Sequence, residues 1–284
     1  MEKILIITDT GSELTAEQAD EKKIELLPVL FRIDGKPCYE NADFPYEKYY
    51  EMMVENDRIY MSHIASAVYL DRYKTAVKNG YTDIIVITAG QQFSKNYRAA
   101  VHAKELLYAQ PEILGNARVH VVNSGSFSTA IGESALLAAK LRDENKPVSE
   151  ILVSLESFFV HANFYLTAYS MRYASSITPF DKMHSVISEL TRSQPILRFS
   201  NERTERVKNE KGDFDGFIDV CKAALEKTRA PYSIAYAQRK EDVSLLAERL
   251  EKAVGYPPER VAQMSASTAY HCGRACITVM FLDK

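Results

Sequence analysis

The chain has no tryptophan, few cysteines and no long apolar run. Its 284 residues include only four cysteines, too few for the disulfide framework of a small secreted domain. No apolar stretch reaches the length of a transmembrane helix, and the charged pair Glu2-Lys3 before a short apolar run does not make a secretory signal. These features predict a reduced, cytoplasmic protein that is not embedded in a membrane.

An excess of positive charge and the common nucleotide motifs are also missing. The net charge is -3 at pH 7 and no basic stripe is present, which argues against nucleic acid as a partner. The sequence contains no G-x-x-x-x-G-K-[ST] phosphate loop and no G-x-S-x-G nucleophile elbow. Cys272 and Cys276 have only one adjacent histidine, His271, whereas a structural zinc site needs four ligands. We therefore predict no metal and no cofactor.

The first half of the chain alternates between short apolar runs and helical patterns. The runs lie at Ile4–Ile7, Leu26–Phe31, Ile84–Ile87 and Val119–Val122. All except Leu26–Phe31 are rich in β-branched residues, which favour strands. Alanine- and leucine-rich helical patterns cover 96–109 and 126–141. This alternation predicts an α/β fold, with a parallel sheet between helices in a three-layer α/β/α domain.

A polar break at Asn145-Lys146-Pro147 divides the chain. We predict a first domain over residues 1–147 and a second, smaller domain over 148–284, which opens with an amphipathic helix. The second half also contains a strand at Ser233–Ala237, a helix at Val243–Val254 and a last strand at Ile277–Leu282. These patterns predict a two-layer α/β domain with a mixed sheet.

Polar side chains follow three of the predicted strands of the first domain. They are Thr8-Asp9-Thr10, Thr88-Ala89-Gly90-Gln91 and Asn123-Ser124-Gly125-Ser126. In a parallel sheet the carboxyl ends of the strands lie along one edge, which is where such sheets bind ligands. Hydroxyls and helix-start N–H groups at this edge are suited to a carboxylate or phosphate. The same residue types also cap helices, so either role fits each of them.

Two segments near the amino terminus contain Thr8-Asp9-Thr10, Glu13-Leu14, Ile33-Asp34-Gly35 and Tyr39-Glu40-Asn41. They resemble the start of the DegV family, bacterial proteins that bind a fatty acid. The usual family pattern has TDS, an acidic-Leu pair and an IDG-xxYxD run. The resemblance implies the two-domain fold predicted above, with an acyl tunnel in the first domain. It also implies that the second domain covers the head-group end of the ligand.

The resemblance also implies which residues bind the ligand's head group. The family's TSQPS segment corresponds to Met61–Ala65, and its SSxLSGTYQSA segment corresponds to Gly90–Ala100. Its C-terminal HxGxGxxGVxF motif corresponds to His271–Phe281, and we expect ionisation of that histidine near neutral pH to make binding sensitive to pH. The implied ligand-binding residues are Ser62, His63, Gln91, Ser94, Asn96, Ser124 and His271.

These segments depart from the family pattern at several positions. Met61 replaces a threonine, Gly90-Gln91 replaces two serines, and Ser176 stands where the family's GRIS segment has arginine. Because hydroxyl and cationic donors are lost, we predict a weaker preference for a charged carboxylate than is usual in the family. His63 and Gln91 are larger and offer replacement donors.

The resemblance implies a non-catalytic protein that binds a long-chain fatty acid or similar amphiphile and presents it to a fatty-acid kinase. Burial of each methylene contributes about 0.8 kcal/mol, so a long acyl chain can be held by burial alone. Two alternatives remain. One is a binder or enzyme for a small carbonyl or phosphate ligand, with the similar fold of the substrate-binding part of dihydroxyacetone kinases. The other is a DegV-like module that has lost its usual ligand.

Overall fold

The computed structural model describes residues 2–53, 58–168, 194–200, 203–210, 214–237, 240–274 and 276–283. The segment 175–178, which was aligned with the GRIS motif, lies outside these residues. The chain forms two compact units, one made of residues 1–44 and 58–157 and the other of residues 45–57 and 158–284. Among the residues described, we find no helix that is both long and apolar enough to cross a lipid bilayer.

The first unit is built around a four-stranded parallel sheet. The strand order is β2-β1-β6-β7, and each neighbouring pair is parallel. Its strands and helices, with the short sheet described below, are β1 (Ile4–Asp9), α1 (Ala16–Glu21), β2 (Ile24–Leu27), β3 (Leu30–Ile33), β4 (Lys36–Tyr39), β5 (Ile59–Ser62), α3 (Ser66–Lys78), β6 (Asp83–Thr88), α4 (Asn96–Tyr108), α5 (Pro111–Leu114), β7 (Arg118–Asn123), α6 (Thr129–Asp143) and most of α7 (Val148–His161). The predicted three-layer α/β/α fold with a parallel sheet is confirmed.

The two central strands carry the most apolar sequences of the sheet. Every residue of β1 and of β6 is buried, as expected for strands that are covered on both faces. A 3-10 turn at Thr10–Ser12 follows β1, and Thr15 caps α1 in a capping box with Gln18. The chain therefore turns sharply at the carboxyl end of β1, where the polar residues collect.

The apolar run Leu26–Phe31 was predicted as one strand, and this is wrong. It divides at Pro28-Val29 into β2, which joins the parallel sheet, and β3, which joins a separate sheet. Proline has no N–H for a sheet ladder, so the run ends at Pro28 and restarts in a new direction. The separate sheet is antiparallel, with the order β4-β3-β5.

The second unit has a six-stranded mixed sheet with the order β10-β9-β8-β13-β11-β12. All neighbouring pairs are antiparallel except β11 and β12, which confirms the predicted mixed sheet. Its elements are α2 (Tyr46–Met52), β8 (Ala162–Ala168), β9 (Gln194–Ser200), β10 (Arg203–Glu210), α8 (Asp215–Thr228), β11 (Tyr232–Tyr236), α9 (Lys240–Val254), β12 (Arg260–Gln263), α10 (Ala266–Cys272) and β13 (Cys276–Leu282).

The core of the second unit lies between one face of this sheet and the helices α8 and α9. Phe217 and Leu225 of α8 and Leu246 of α9 pack there against Val279 and Phe281 of β13. All five side chains are buried. The amphipathic spacing of Val243–Val254, which predicted a helix, reflects this packing.

The division of the chain differs from the predicted boundary between residues 147 and 148. The units meet inside α7, between Ser157 and Phe158, and residues 45–57 group with the second unit although they lie within the first in sequence. Tyr49 and Tyr50 of α2 donate hydrogen bonds to the carbonyl oxygens of Ala266 and Met264, at 2.8 and 2.7 Å. The second unit is nearly as long as the first and has the larger sheet, whereas the sequence predicted a smaller domain.

Candidate functional site

The polar segments that follow β1, β6 and β7 lie along the same edge of the parallel sheet, as predicted. Thr88 at the end of β6 pairs with Asn123 at the end of β7. Beyond the strands, the backbone N–H of Gln91 donates to Asn123 Oδ1 at 3.1 Å, and that of Gly90 donates to the carbonyl oxygen of Ser126 at 2.8 Å. The two loops therefore form one continuous polar rim.

The rim is closely packed at Gly90. A Cβ atom at this position would lie 2.7 Å from Gln92 Oε1 and 2.9 Å from the Cα atom of Gly125. The second distance is to backbone, which a rotamer change cannot relieve. A serine at position 90, as in the family pattern, would therefore force the two loops apart. In this chain, position 90 must therefore be glycine for the two loops to pack this closely.

A buried relay of hydrogen bonds connects three segments at this edge. Asp9, at the end of β1, accepts hydrogen bonds from Gly11 N at 2.9 Å and from Asn96 Nδ2 at 2.9 Å. The other side of the same amide, Asn96 Oδ1, accepts from Ile64 N at 3.0 Å. Asn96 also donates its backbone N–H to Ser94 Oγ at 3.1 Å. The segments containing Ser62 and Ser94 are thus joined through one asparagine.

No lysine or arginine among the described residues pairs with Asp9. Burial raises the pKa of the Asp9 carboxyl, and hydrogen bonds from Asn96 and Gly11 oppose this shift only in part. Burial also raises the pKa of nearby Tyr69, with a further contribution from the charge of Asp9. The relay is therefore a network of neutral donors around one acid.

Two more carboxylates are buried in the first unit with hydroxyl partners. Glu40 Oε2 accepts from Thr10 Oγ1 at 2.8 Å, and Glu13 Oε1 accepts from Ser128 Oγ at 2.8 Å. Asp9, Glu13 and Glu40 were not among the predicted ligand-binding residues. A signal was present in the sequence, because all three belong to the DegV-like pattern near the amino terminus.

Four of the predicted ligand-binding residues retain side-chain hydrogen-bonding capacity. Ser62 ends β5 opposite Leu30, is half-buried, and has no side-chain partner in the described part of the chain. Ser94 is also half-buried, and its hydroxyl accepts one bond and keeps its own hydrogen to donate. His63 and Gln91 are exposed. These side chains are able to bind a ligand group.

Two other predicted residues are already engaged by the protein itself. Both ends of the Asn96 amide are bonded in the relay, and the side chain is buried. The hydroxyl of buried Ser124 donates to the carbonyl oxygen of Ser126 and accepts from Ser126 N, both at 3.1 Å. This geometry favours a positioning role for Asn96 and a turn-stabilising role for Ser124.

His271 lies in the second unit, in the last turn of α10. The helix starts at the capping residue Ser265, whose hydroxyl accepts from Thr268 N at 3.1 Å. His271 Nδ1 is buried and has no hydrogen-bond partner among the described residues. Burial lowers the pKa of His271 to about 4, so the ring is neutral at pH 7. The expectation that His271 titrates near neutral pH is therefore wrong.

The described residues contain no group of three histidine, cysteine, aspartate or glutamate side chains arranged to hold a metal ion. All four cysteines are thiols, and Cys221, Cys272 and Cys276 are buried. Cys276 opens the buried strand β13, where it packs as a small apolar residue.

Comparisons with known proteins agree with this architecture. A DegV domain-containing protein of Caldanaerobacter subterraneus subsp. tengcongensis is 21% identical over 290 residues, which cover 100% of both chains. The crystal structure of a stearic acid-binding protein from Eubacterium ventriosum is similar with a TM-score of 0.87 and 17% identity, covering 99% of this chain and 98% of that one.

A second solved structure is a DegV family protein from Eubacterium eligens loaded with heptadecanoic acid. It is similar with a TM-score of 0.83 and 14% identity, over 99% of this chain and 100% of that one. The sequence model described as "Uncharacterised protein, DegV family" matches residues 3–284. Because this match spans nearly the whole sequence, the chain belongs to the DegV family.

Proposed function

We propose that this protein binds one long-chain fatty acid or a similar amphiphile and performs no chemistry on it by itself. The observation that carries this proposal is the match of residues 3–284 to the DegV family. Two solved structures with the same fold are a stearic acid-binding protein and a protein loaded with heptadecanoic acid. The acyl chain would be held mainly by burial, at about 0.8 kcal/mol per methylene.

In this proposal the ligand's head group lies at the polar rim of the first unit. Ser94 and Ser62 donate to it through their hydroxyls, with Gln91 and His63 as additional donors. Support comes from the half-buried position of both serines and from their available hydroxyl hydrogens. Hydrogen bonds to a charged group contribute about 1.5–3 kcal/mol each. Participation of His271 from the second unit, and a weaker preference for a charged carboxylate than is usual, stay predictions.

A partner kinase that phosphorylates the bound acid completes the proposal. The sequence has no phosphate loop of its own, so the partner would supply ATP and this chain would supply the acyl substrate. We place the protein in the cytoplasm, where its four cysteines would stay reduced as the structure has them.

Organic extraction of the purified protein, followed by mass spectrometry, tests the binding proposal. We expect about one long-chain acid per chain, and native mass spectrometry should detect the same complex intact. Extracts that are repeatedly free of fatty acid, together with no binding of added palmitate or oleate, would contradict the proposal. A protein that instead retains a small carbonyl or phosphate compound would support the alternative function.

A further inference from the structure

We propose that Asp9 and Asn96 are positioning residues that hold the two head-group segments, 62–65 and 90–94, in register for binding. This inference rests on the proposed function. The two segments come from different parts of the chain, since one follows β5 and the other follows β6. In the described structure, Asn96 bonds directly to both of them, and Asp9 holds Asn96 in place.

The orientation of the Asn96 amide is determined by its neighbours. Ile64 N is a donor, so the atom that faces it must be the oxygen of the amide. The nitrogen of the amide then faces Asp9, which must supply an acceptor there. The second carboxylate oxygen of Asp9 accepts from Gly11 N, so the carboxylate has to accept on both sides. The direction of each hydrogen bond in the relay is therefore fixed from Gly11 to Ile64.

The relay is well placed to control binding without touching the ligand. Asp9 and Asn96 are 4% and 5% exposed, so neither side chain presents much surface. Ile64 is two residues from Ser62, and Asn96 is two residues from Ser94. A break in the relay would thus move both proposed hydroxyl donors. Burial raises the pKa of Asp9, and the hydrogen bonds that it accepts from Asn96 and Gly11 oppose this shift.

Exchanging the two side chains tests this role. In Asp9→Asn, the oxygen of the new amide must accept from Gly11 N. Its nitrogen then faces the nitrogen of Asn96, so two donors oppose each other. In Asn96→Asp, two carboxylate oxygens face each other. The double exchange, Asp9→Asn with Asn96→Asp, restores a donor opposite an acceptor at every step. It also keeps the number of carboxylates and the side-chain size unchanged.

We expect each single variant to bind palmitate at least tenfold more weakly, and the double exchange to recover to within about threefold of the wild type. Amide hydrogen exchange at Ile64 should be faster in each single variant and slow again in the double exchange. Asn116→Asp makes the same chemical change at an exposed position and should leave both measurements unchanged. Leu107→Ala truncates a buried side chain of α4, so its affinity for palmitate shows the effect of a general loss of stability.

Recovery of both measurements in the double exchange would support the relay, even if neither single variant folds. An unfolded double exchange, or one that binds as weakly as the single variants, would overturn it, and so would single variants with normal affinity. If the wild type binds no palmitate, the proposed function fails, and hydrogen exchange at Ile64 still decides whether the relay holds the segment.

Discussion

Asp9 and Asp83 are both buried carboxylates on neighbouring strands of one parallel sheet, but they lie at opposite edges and have different partners. Asp83, which opens β6, bonds to His120 Nε2 at 2.9 Å and to Arg118 Nε at 3.0 Å. Burial acts to raise the pKa of Asp83, but the hydrogen bonds from His120 and Arg118 outweigh it and the pKa is lowered. Asp9 has only neutral donors, and its pKa is raised.

This difference in partners gives the two buried acids different roles. At the amino edge, paired charges stabilise the fold and leave little potential for an anionic ligand. At the carboxyl edge, neutral hydrogen bonds fix the backbone without placing a cation there. In the proposed head-group site, recognition would therefore depend on hydroxyl and backbone donors, whose positions matter more than the sign of the surrounding charge.

The largest effect is expected from removing the charge at the amino edge. Asp83→Asn should lower the free energy of unfolding by about 2 kcal/mol at pH 7, because the charge-assisted hydrogen bonds that the carboxylate forms with Arg118 and His120 are weakened. The folded pKa of Asp83 is depressed, so its stabilisation is present above the unfolded pKa of about 3.9 and is lost as pH falls through the folded value. Urea denaturation at pH 7 and pH 3 measures this.

The matched control is Asp143→Asn, which removes an exposed carboxylate that pairs with Arg142. An exposed pair contributes less than about 1 kcal/mol, so this variant should unfold almost like the wild type. Equal losses in the two variants would show that burial of Asp83 does not strengthen its ion pairs.

Variants of two serines at the carboxyl edge should distinguish an effect on ligand binding from an effect on stability. Ser94→Ala should weaken palmitate binding about tenfold, equal to about 1.4 kcal/mol, because it removes a donor to the head group. Ser124→Ala should leave the affinity within about twofold and instead lower stability by about 1 kcal/mol, because it removes two bonds within a turn. Ligand titration and urea denaturation of both variants measure this. The reverse pattern would contradict both assignments.

A third buried titratable group, His271, extends the comparison to the second unit. Its folded pKa is lowered to about 4, below the unfolded value of about 6.5. The unfolded chain therefore binds the proton first, and stability is lost as pH falls from about 6.5 towards 4. His271→Asn should reduce the stability difference between pH 7 and pH 5 by on the order of 1 kcal/mol. An unchanged difference in denaturation experiments would show that the histidine is accessible to protons in the folded protein.

The smallest effect is expected at Thr129, the first residue of α6. Its hydroxyl is buried and has no hydrogen-bond partner among the described residues. Thr129→Val removes an unsatisfied polar atom and should raise stability, by less than about 1 kcal/mol. Thr8→Val is the matched change at a satisfied site, because Thr8 Oγ1 donates to the carbonyl oxygen of Ile87 at 3.0 Å. That variant should lose about 1 kcal/mol, and thermal denaturation compares the two.

Much of the framework could be predicted from the sequence because its signals are local. The runs Ile4–Ile7 and Ile84–Ile87 lie in fully buried strands, as β-branched residues between turns indicate. Their polar ends could be assigned to one edge, since that follows from parallel pairing. The family pattern also points to the segments of Ser62 and Ser94 as head-group segments, and this assignment stays a prediction.

The division of roles within the site could not be predicted, since it depends on which acceptor meets which donor. Asn96 and Ser94 are both polar residues at the start of one helix, and only the structure distinguishes the engaged amide from the available hydroxyl. The low pKa of His271 comes from burial, which a lone histidine in a sequence does not reveal. The separation of β2 from β3 required knowing that the chain changes sheets at Pro28.

The membership of residues 45–57 in the second unit has a consequence for biosynthesis. A ribosome makes the acceptors of Tyr49 and Tyr50, at Ala266 and Met264, 217 and 214 residues after the tyrosines themselves. The two large aromatic side chains of helix α2 therefore lack these acceptors while the intervening residues are made. Domains made during translation normally form in order from the amino terminus. Here the second unit cannot be completed until Met264 and Ala266 have been made, and a fragment starting at residue 158 would lack one of the unit's own helices.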